Sequence, residues 1–130
     1  VQTPLPIELL SFEAVLNEDQ VNIMWVTTIE INNDYFTVER STDGKNWEQI
    51  ITTDGAGTST QIIDYFEIDF KPKQGVSYYR LKQTDFDGKF SYSGIVSVNY
   101  ELDKTKKAQI KLRFINCMFY FFYLSPRASC

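Results

Sequence analysis

The residues with the most direct potential for chemistry are the two aspartates of the stretch TDFDGKF, Asp85 and Asp87, which precede Gly88. The D-x-D-G order is part of a calcium-binding loop, in which oxygen ligands at alternate positions surround the ion. The full loop needs a third oxygen ligand and a closing glutamate; Gln83 stands at the first position and the glutamate is missing. We therefore interpret Asp87-Gly88 as a turn and predict no metal site.

Several catalytic chemistries lack the residue types that they require. The 130-residue chain contains no histidine, which excludes Ser-His-Asp and Cys-His catalysis and His-ligated zinc. A glycosidase needs two carboxylates in a cleft, and a domain of about a hundred residues has little space for one. Both cysteines, Cys117 and Cys130, lie near the C-terminal end. We predict a protein that is not an enzyme and that holds no cofactor.

Charge is distributed unevenly along the chain. Residues 1–100 carry 7 Lys and Arg against 15 Asp and Glu, a net of −8, whereas residues 101–130 carry 6 against 2, a net of +4. An acidic body repels the phosphates of nucleic acids, which bind Lys and Arg. We therefore expect no nucleic-acid partner.

Two segments with period-two alternation indicate β-hairpins. The first is INNDYFTVERSTDGKNW, residues 31–47, and the second is YYRLKQTDFDGKFSY, residues 78–92. Each contains an Asp-Gly pair, the pair that best tolerates the positive φ angles of a two-residue type I′ turn. These segments predict two tight hairpins with two-residue turns at residues 43–44 and 87–88.

The remaining segments predict an all-β chain with seven short strands. Connections over 28–34, 54–60 and 69–75 separate strands at 7–16, 21–26, 35–39, 47–53, 61–66, 76–84 and 90–99. Leu10, Phe12 and Ala14 form the apolar face of the first strand, and the centre of the core is assigned to Trp25, Phe36, Val38 and Leu81. Seven short antiparallel strands at this spacing predict a two-sheet sandwich.

Several motifs in this order resemble one known family. LPIELLSFEA, Trp25, INNDYFTVERSTDGKNWE and SYYRLKQTDFDGKFSYS are similar to the fibronectin type III-like modules of secreted Bacteroidota proteins, which stand before a type IX secretion sorting domain. The resemblance covers residues 5–100 and implies an immunoglobulin-like β-sandwich over 7–100. It also implies a non-catalytic spacer or interaction module, secreted or at the cell surface, whose partners are neighbouring domains. Tyr79 would be the tyrosine corner, with its hydroxyl bonded to loop backbone.

The chain departs from the family in two places. Glu67 stands where the fifth strand needs an inward apolar residue, so we expect that strand to end early or to shift register. Residues 1–6, with Pro4 and Pro6, read as a linker, and residues 101–130 form an atypical basic and aromatic tail in place of a sorting domain. Three interpretations of the tail remain open: an interfacial membrane anchor, an extra edge strand, or a segment without a selected function. We favour the last and expect no membrane partner.

The one candidate binding face consists of Tyr35 and Tyr78. Both point outward by strand parity, on strands that neighbour each other in a type III arrangement, so their rings would share an exposed sheet face. Such a face is suited to a sugar ring or a protein partner, which makes a carbohydrate- or protein-binding module the alternative function. Arg40 and Arg80 are expected to form ion pairs at the surface.

Overall fold

The computed structural model describes residues 7–102, 111, 112 and 115 of the chain. Residues 7–102 contain no helix and form seven strands: β1 (Ile7–Asn17), β2 (Gln20–Ser41), β3 (Glu48–Ser59), β4 (Ile63–Asp69), β5 (Gly75–Asp85), β6 (Phe90–Tyr92) and β7 (Val96–Tyr100). The chain divides into two units, Val1–Tyr100 and Glu101–Cys130. The predicted linker, residues 1–6, lies outside the described residues. So does the predicted tail, residues 101–130, except for residues 101, 102, 111, 112 and 115. No helix among the described residues is long and apolar enough to cross a membrane.

All strand pairs are antiparallel, and β2 is the axis of the sheet. Residues 21–27 of β2 lie between β1 and β4, whereas residues 33–41 lie between β3 and β5. The other side of β5 pairs with β6 and then with β7. An all-β chain with seven antiparallel strands was predicted from the sequence, and this part of the prediction is confirmed.

β2 is one strand of 22 residues, so the predicted polar connection over 28–34 is wrong. Two of its polar residues, Glu30 and Asn33, are fully buried and paired, and the strand therefore continues through them. Register shifts between Glu30 and Tyr35 and a positive φ of 52° at Asn32 mark the place where the strand bends. Because of this bend, the two halves of β2 turn their apolar faces toward each other.

The core forms where these two faces meet. Trp25 from the first half of β2 contacts Phe36 from the second half, with ring centroids 5.4 Å apart, and stacks on Tyr65 of β4 at 5.0 Å. Within the described residues the buried apolar side chains are Val21, Ile23, Trp25, Phe36, Val38, Tyr79, Leu81 and Val98. The four side chains assigned to the centre of the core are among them, which confirms that assignment.

The apolar face of β1 differs from the predicted one at a single position. Register shifts between Glu8 and Ser11 create a bulge, and Leu10 is left 65% exposed. Leu9 packs against the core in its place, together with Phe12 and Ala14. A bulge reverses the inward and outward alternation on one side of itself, which simple parity cannot anticipate.

Neither Asp-Gly pair forms the predicted two-residue turn. In the second hairpin Gly88 donates to the Asp85 carbonyl and Asp85 donates to the Lys89 carbonyl, which defines a three-residue loop with only Gly88 at positive φ. In the first, Arg40 pairs with Glu48 and a seven-residue loop lies between them. The Asp43 carboxylate in this loop accepts hydrogen bonds from the backbone N–H groups of Lys45 and Asn46. These bonds, rather than a two-residue turn, hold the loop conformation.

Three strand boundaries also differ from the prediction. β3 continues to Ser59 through the predicted loop over 54–60, and the predicted last strand is divided into β6 and β7 by residues 93–95. β4 neither ends early nor shifts register at Glu67, which lies opposite the inward Ile23. Thr53 of β3 donates a 2.8 Å hydrogen bond to the Glu67 carboxylate, and this bond offsets part of the cost of placing the carboxylate there.

Candidate functional site

The two tyrosines predicted to form a binding face lie far apart along one ladder. Tyr35 pairs with Thr84 and Tyr78 pairs with Ser41, so both side chains lie on the outer face of β2 and β5 and both are partly buried. Thr84 lies six positions after Tyr78 on β5, which corresponds to about 20 Å at ~3.4 Å per residue. The structure therefore does not bring the two rings together.

A different set of aromatic side chains does converge on this outer face. The Arg80 guanidinium lies 4.1 Å from the ring centroid of Trp47 and 3.8 Å from that of Tyr92. Its Nε donates a 2.6 Å hydrogen bond to the Glu39 carboxylate on the neighbouring strand. One cation is thus held by two rings and one carboxylate, so its position is fixed from three sides.

The same arrangement continues one step toward the hairpin. Lys82 Nζ lies 4.3 Å from the ring centroid of Phe90, and Phe90 meets Tyr92 edge-on with centroids 5.5 Å apart. Phe90 and Tyr92 are 56% and 45% exposed, so part of each ring faces solvent. We call this surface the aromatic–cation strip and define it by Trp47, Arg80, Lys82, Phe90 and Tyr92.

The pairing of β5 with β6 is what places these side chains together. Lys82 lies opposite Tyr92, and Thr84 lies opposite Phe90, because the three-residue loop at 86–88 sets the register of the hairpin. Sequence reasoning missed Phe90 and Tyr92. Residues at equal distances from a hairpin loop face each other, so the sequence could have placed Phe90 and Tyr92 beside Lys82. That prediction requires the correct loop length of three residues.

On the opposite, inner face, Arg40 and Tyr79 converge on a buried carboxylate. Arg40 Nη1 forms a 2.5 Å ion pair with Asp69 at the end of β4, and Tyr79 donates a 2.9 Å hydrogen bond to the same oxygen of Asp69. Arg40 was predicted at the surface but is only 7% exposed, because parity within β2 turns it inward. Tyr79 was predicted to bond to loop backbone; its hydroxyl bonds to a side chain instead. Arg80 does form the expected ion pair, with Glu39.

The protonation states of this inner cluster follow from its geometry. Burial lowers the pKa of Arg40, but the hydrogen bond and charge of Asp69 outweigh burial, and the pKa is raised overall. Burial and the neighbouring Asp69 carboxylate raise the pKa of the Tyr79 hydroxyl well above its usual value. Arg40 therefore stays a cation and Tyr79 a neutral phenol across physiological pH, and neither is poised to exchange a proton.

A second buried carboxylate, Glu30, lies in the bend of β2. It accepts hydrogen bonds from Thr27, Asn33, Tyr65 and the backbone N–H of Ala56 at distances of 2.6 to 2.9 Å. Burial raises its pKa, but the four donors outweigh burial and hold the pKa below the usual value. Glu30 is thus an ionised, fully bonded anchor that ties the bend to β3 and β4.

One concave region in the described part of the molecule is shallow and polar. A shallow, open cavity of about 230 Å³ lies beside the 41–47 loop and is lined by Arg40, Ser41, Thr42, Asn46, Glu48 and Lys73. Arg40 and Glu48 already form a 3.2 Å ion pair within it. Among the described residues, no group of three or more acidic or cysteine side chains is arranged to hold a metal ion.

Comparisons with known proteins place the chain by fold alone. No protein-family model matches the chain, and no curated protein matches it. Two crystal structures of pectate lyase Pel3 from Pectobacterium carotovorum are similar, with TM-scores of 0.52 and 0.55, identities of 16% and 14%, and coverage of 73% and 75% of this chain. The match spans 27% and 28% of the lyase chain.

A β-1,2-glucanase from Parabacteroides distasonis is also similar. Its TM-score is 0.51 at 18% identity, and the match covers 91% of this chain and 17% of the glucanase. This chain therefore spans less than a third of each of these proteins. At such identities the comparisons support a shared β-rich fold and leave activity, substrate and partners to argument from the residues.

Proposed function

We propose that residues 7–100 form a fibronectin type III-like β-sandwich of the Bacteroidota type. One sheet would contain β1, the first half of β2 and β4; the other would contain β3, the second half of β2 and β5 to β7. The division of the β2 pairing partners into these two sets supports this assignment. So does the contact of Trp25 with Phe36, which would be a contact between the two sheets.

The function that these residues support best is that of a non-catalytic spacer or interaction module in a secreted or cell-surface multidomain protein, before a sorting domain. One observation carries this proposal: every buried charged side chain of the described residues is already engaged by a partner. Glu30 has four donors, Asp69 has Arg40 and Tyr79, and Glu39 has Arg80. Catalysis by acid and base needs a group that is free to change its protonation state.

Two measurements on the full chain test this proposal. Stretching single molecules by force spectroscopy should give one cooperative event that releases about 30 nm, because some 94 residues extend at ~3.5 Å each. Incubation with pectate, β-1,2-glucan and other β-glucans should release no reducing ends or unsaturated products. Hydrolysis or elimination that is abolished by substitution of a residue within 7–100 would overturn the non-catalytic assignment.

A carbohydrate-binding role is the second candidate, and the aromatic–cation strip favours it. The partly exposed rings of Phe90 and Tyr92 offer apolar faces of the kind that stack on sugars, and Arg80 keeps its neighbours in a fixed orientation. The similar proteins are a pectate lyase and a β-1,2-glucanase, and the region similar to this chain is less than a third of each enzyme. A part of that size in a carbohydrate-active enzyme is consistent with a binding role.

Affinity electrophoresis in gels that contain pectate or β-glucan tests this second role. Retardation of the full chain that is lost with Tyr92→Ala plus Phe90→Ala would support it. The comparison variant is Tyr35→Ala plus Tyr78→Ala, which removes two rings from the same face outside the strip. Equal loss in both variants, or no retardation of the parent chain, would remove the strip as a sugar site.

A further inference from the structure

The outer face of the other half of the sheet presents an apolar patch. Residues 22, 24 and 26 of β2 point away from the core, and their partners on β1 and β4 point the same way. Met24 lies between Glu13 of β1 and Phe66 of β4, and Asn22 on the next rung lies between Val15 and Ile68, so apolar residues from all three strands share this surface with polar ones. We call this surface the apolar–acidic face: its apolar members are Val15, Met24, Val26, Phe66 and Ile68, and its acidic members are Glu13 and Asp64.

The apolar members are accessible to a partner. Val15 is 49% exposed and Phe66 is 55% exposed, whereas Met24, Val26 and Ile68 are half-buried between them. Met24 and Val26 occupy outward positions of a strand whose inward positions are fully buried. A solvent-facing sheet surface usually carries polar residues at such positions, so a cluster of apolar side chains there marks a place for contact.

The charge on this face has one sign. No Lys or Arg occurs in residues 1–39 or in residues 54–70, which include β1, the first half of β2 and β4. All 7 cations of residues 1–100 belong to the remaining segments. Glu13 and Asp64 therefore lie on this surface without a Lys or Arg on β1, on β4 or in the first half of β2 to pair with.

We infer that the apolar–acidic face docks a protein surface that has an apolar centre and a rim of Lys and Arg. This inference deepens the interaction role proposed above and rests on it. The negative charge disfavours anionic lipid and nucleic acid as occupants. Pairing of this face with the same face of a second copy is disfavoured, because both faces carry Glu13 and Asp64 and no cation, and they would repel each other.

The size of the face sets the strength of the contact. Three strands spaced ~4.8 Å apart and three outward rungs along each strand give a patch of a few hundred Å². A stable protein–protein interface buries about 1,200 Å² or more in total, so the face by itself supports a weak contact. We expect a dissociation constant of about 0.1–1 mM for a short peptide. A neighbouring domain on the same polypeptide would occupy the face more fully than a free peptide, because the linker between them keeps its effective concentration high.

The test is an NMR titration of the full ¹⁵N-labelled chain with the peptide Ac-KLKFKLKF-NH₂, which alternates cations with apolar residues. Shift changes should concentrate at residues 13–15, 22–26 and 64–68. The matching peptide with Glu in place of Lys should bind at least 10-fold more weakly. Phe66→Ser should weaken binding at least 5-fold, whereas Ile95→Ser, which removes a side chain that is 56% exposed outside this face, should change it less than 2-fold.

Glu13→Lys provides a second variant at an exposed position, where folding is not at stake; it should also weaken binding at least 3-fold. No binding at 1 mM peptide, equal effects of Phe66→Ser and Ile95→Ser, or self-association of the chain through this face in sedimentation velocity would each overturn the inference. Polysaccharide cleavage by the chain would refute the non-catalytic assignment and leave these titration outcomes unchanged. The two failures are therefore distinguishable.

Discussion

The Tyr65 hydroxyl donates a 2.6 Å hydrogen bond to the carboxylate of Glu30, 35 residues earlier in the chain. The same tyrosine ring stacks on Trp25, so one side chain joins the apolar core to a buried anion. Glu30 in turn binds the backbone of β3 through Ala56. Glu30 has no ion pair with the Lys and Arg side chains that the structure describes. Oriented donors instead replace the water that this carboxylate loses inside the sheet.

Replacement of Glu30 with Gln tests the importance of that charge. The amide retains one acceptor oxygen but directs N–H donors toward groups that are themselves donors, so we expect a loss of about 2–4 kcal/mol in the free energy of unfolding. Urea denaturation measures the loss, and Glu13→Gln, an exposed glutamate on β1, should change stability by less than ~0.5 kcal/mol. Similar midpoints for the two variants would refute the anchoring role.

The lowered pKa of Glu30 should make the stability of the folded chain depend on pH in acid. Its pKa is below the ordinary value of 4.5 in the folded chain. A group with a depressed folded pKa contributes stability that is complete above the unfolded pKa and is lost as the pH falls through the folded pKa. The difference in unfolding free energy between the parent chain and Glu30→Gln should therefore be constant from pH 7 to about 5 and narrow below about 4.5. A difference that widens in acid would contradict the lowered pKa.

The buried Arg40–Asp69 pair should respond asymmetrically to substitution. Asp69→Asn leaves the guanidinium buried without its main counter-charge and should cost about 3–5 kcal/mol, measured by urea or thermal unfolding. The double variant Arg40→Met plus Asp69→Leu removes both charges and should cost less than Asp69→Asn alone. A double variant that loses as much stability as Asp69→Asn, or more, would show that burial of unpaired charge is not the source of the effect.

A double-mutant cycle isolates the contact of Arg80 with Tyr92. Arg80→Met, Tyr92→Ala and the double variant should give a coupling of about 0.5–2 kcal/mol from unfolding free energies, the range for a cation over an aromatic ring. The control cycle combines Arg80→Met with Tyr35→Ala, whose ring lies opposite Thr84, away from Arg80. That pair should be additive within ~0.5 kcal/mol, and equal coupling in both cycles would argue against a specific stacking contact.

The hairpin loop at 86–88 depends on one glycine. Gly88 has φ of 86°, which strains any residue with a Cβ, although no atom lies within 4 Å of the added group. Gly88→Ala should therefore cost about 1–2 kcal/mol through backbone strain alone. Gly94 has equally open space and no positive φ, so Gly94→Ala serves as the control and should be neutral or slightly stabilising. Equal effects at the two glycines would show that φ is not the cause.

The sequence by itself determined the strand content and the central core. Val21, Ile23 and Trp25 form one apolar face, whereas Asn22, Met24 and Val26 form a mixed face; this period-two pattern is a local property that translates directly into one buried face. The positions of Phe36, Val38 and Leu81 followed from the same rule. Two glycines at turns were also identified from their residue type, although the loop lengths around them were not.

Tertiary structure alone decided the polar interior and the binding surfaces. Polarity assigned Glu30 to a connection and Arg40 to the surface, because a sequence does not reveal that Tyr65 or Asp69 will arrive from another strand to pair with them. The aromatic–cation strip depends on the register of a hairpin, and the apolar–acidic face depends on which strands flank β2. Hydrogen bonds and registers between distant segments are set by global pairing, and no local pattern encodes them.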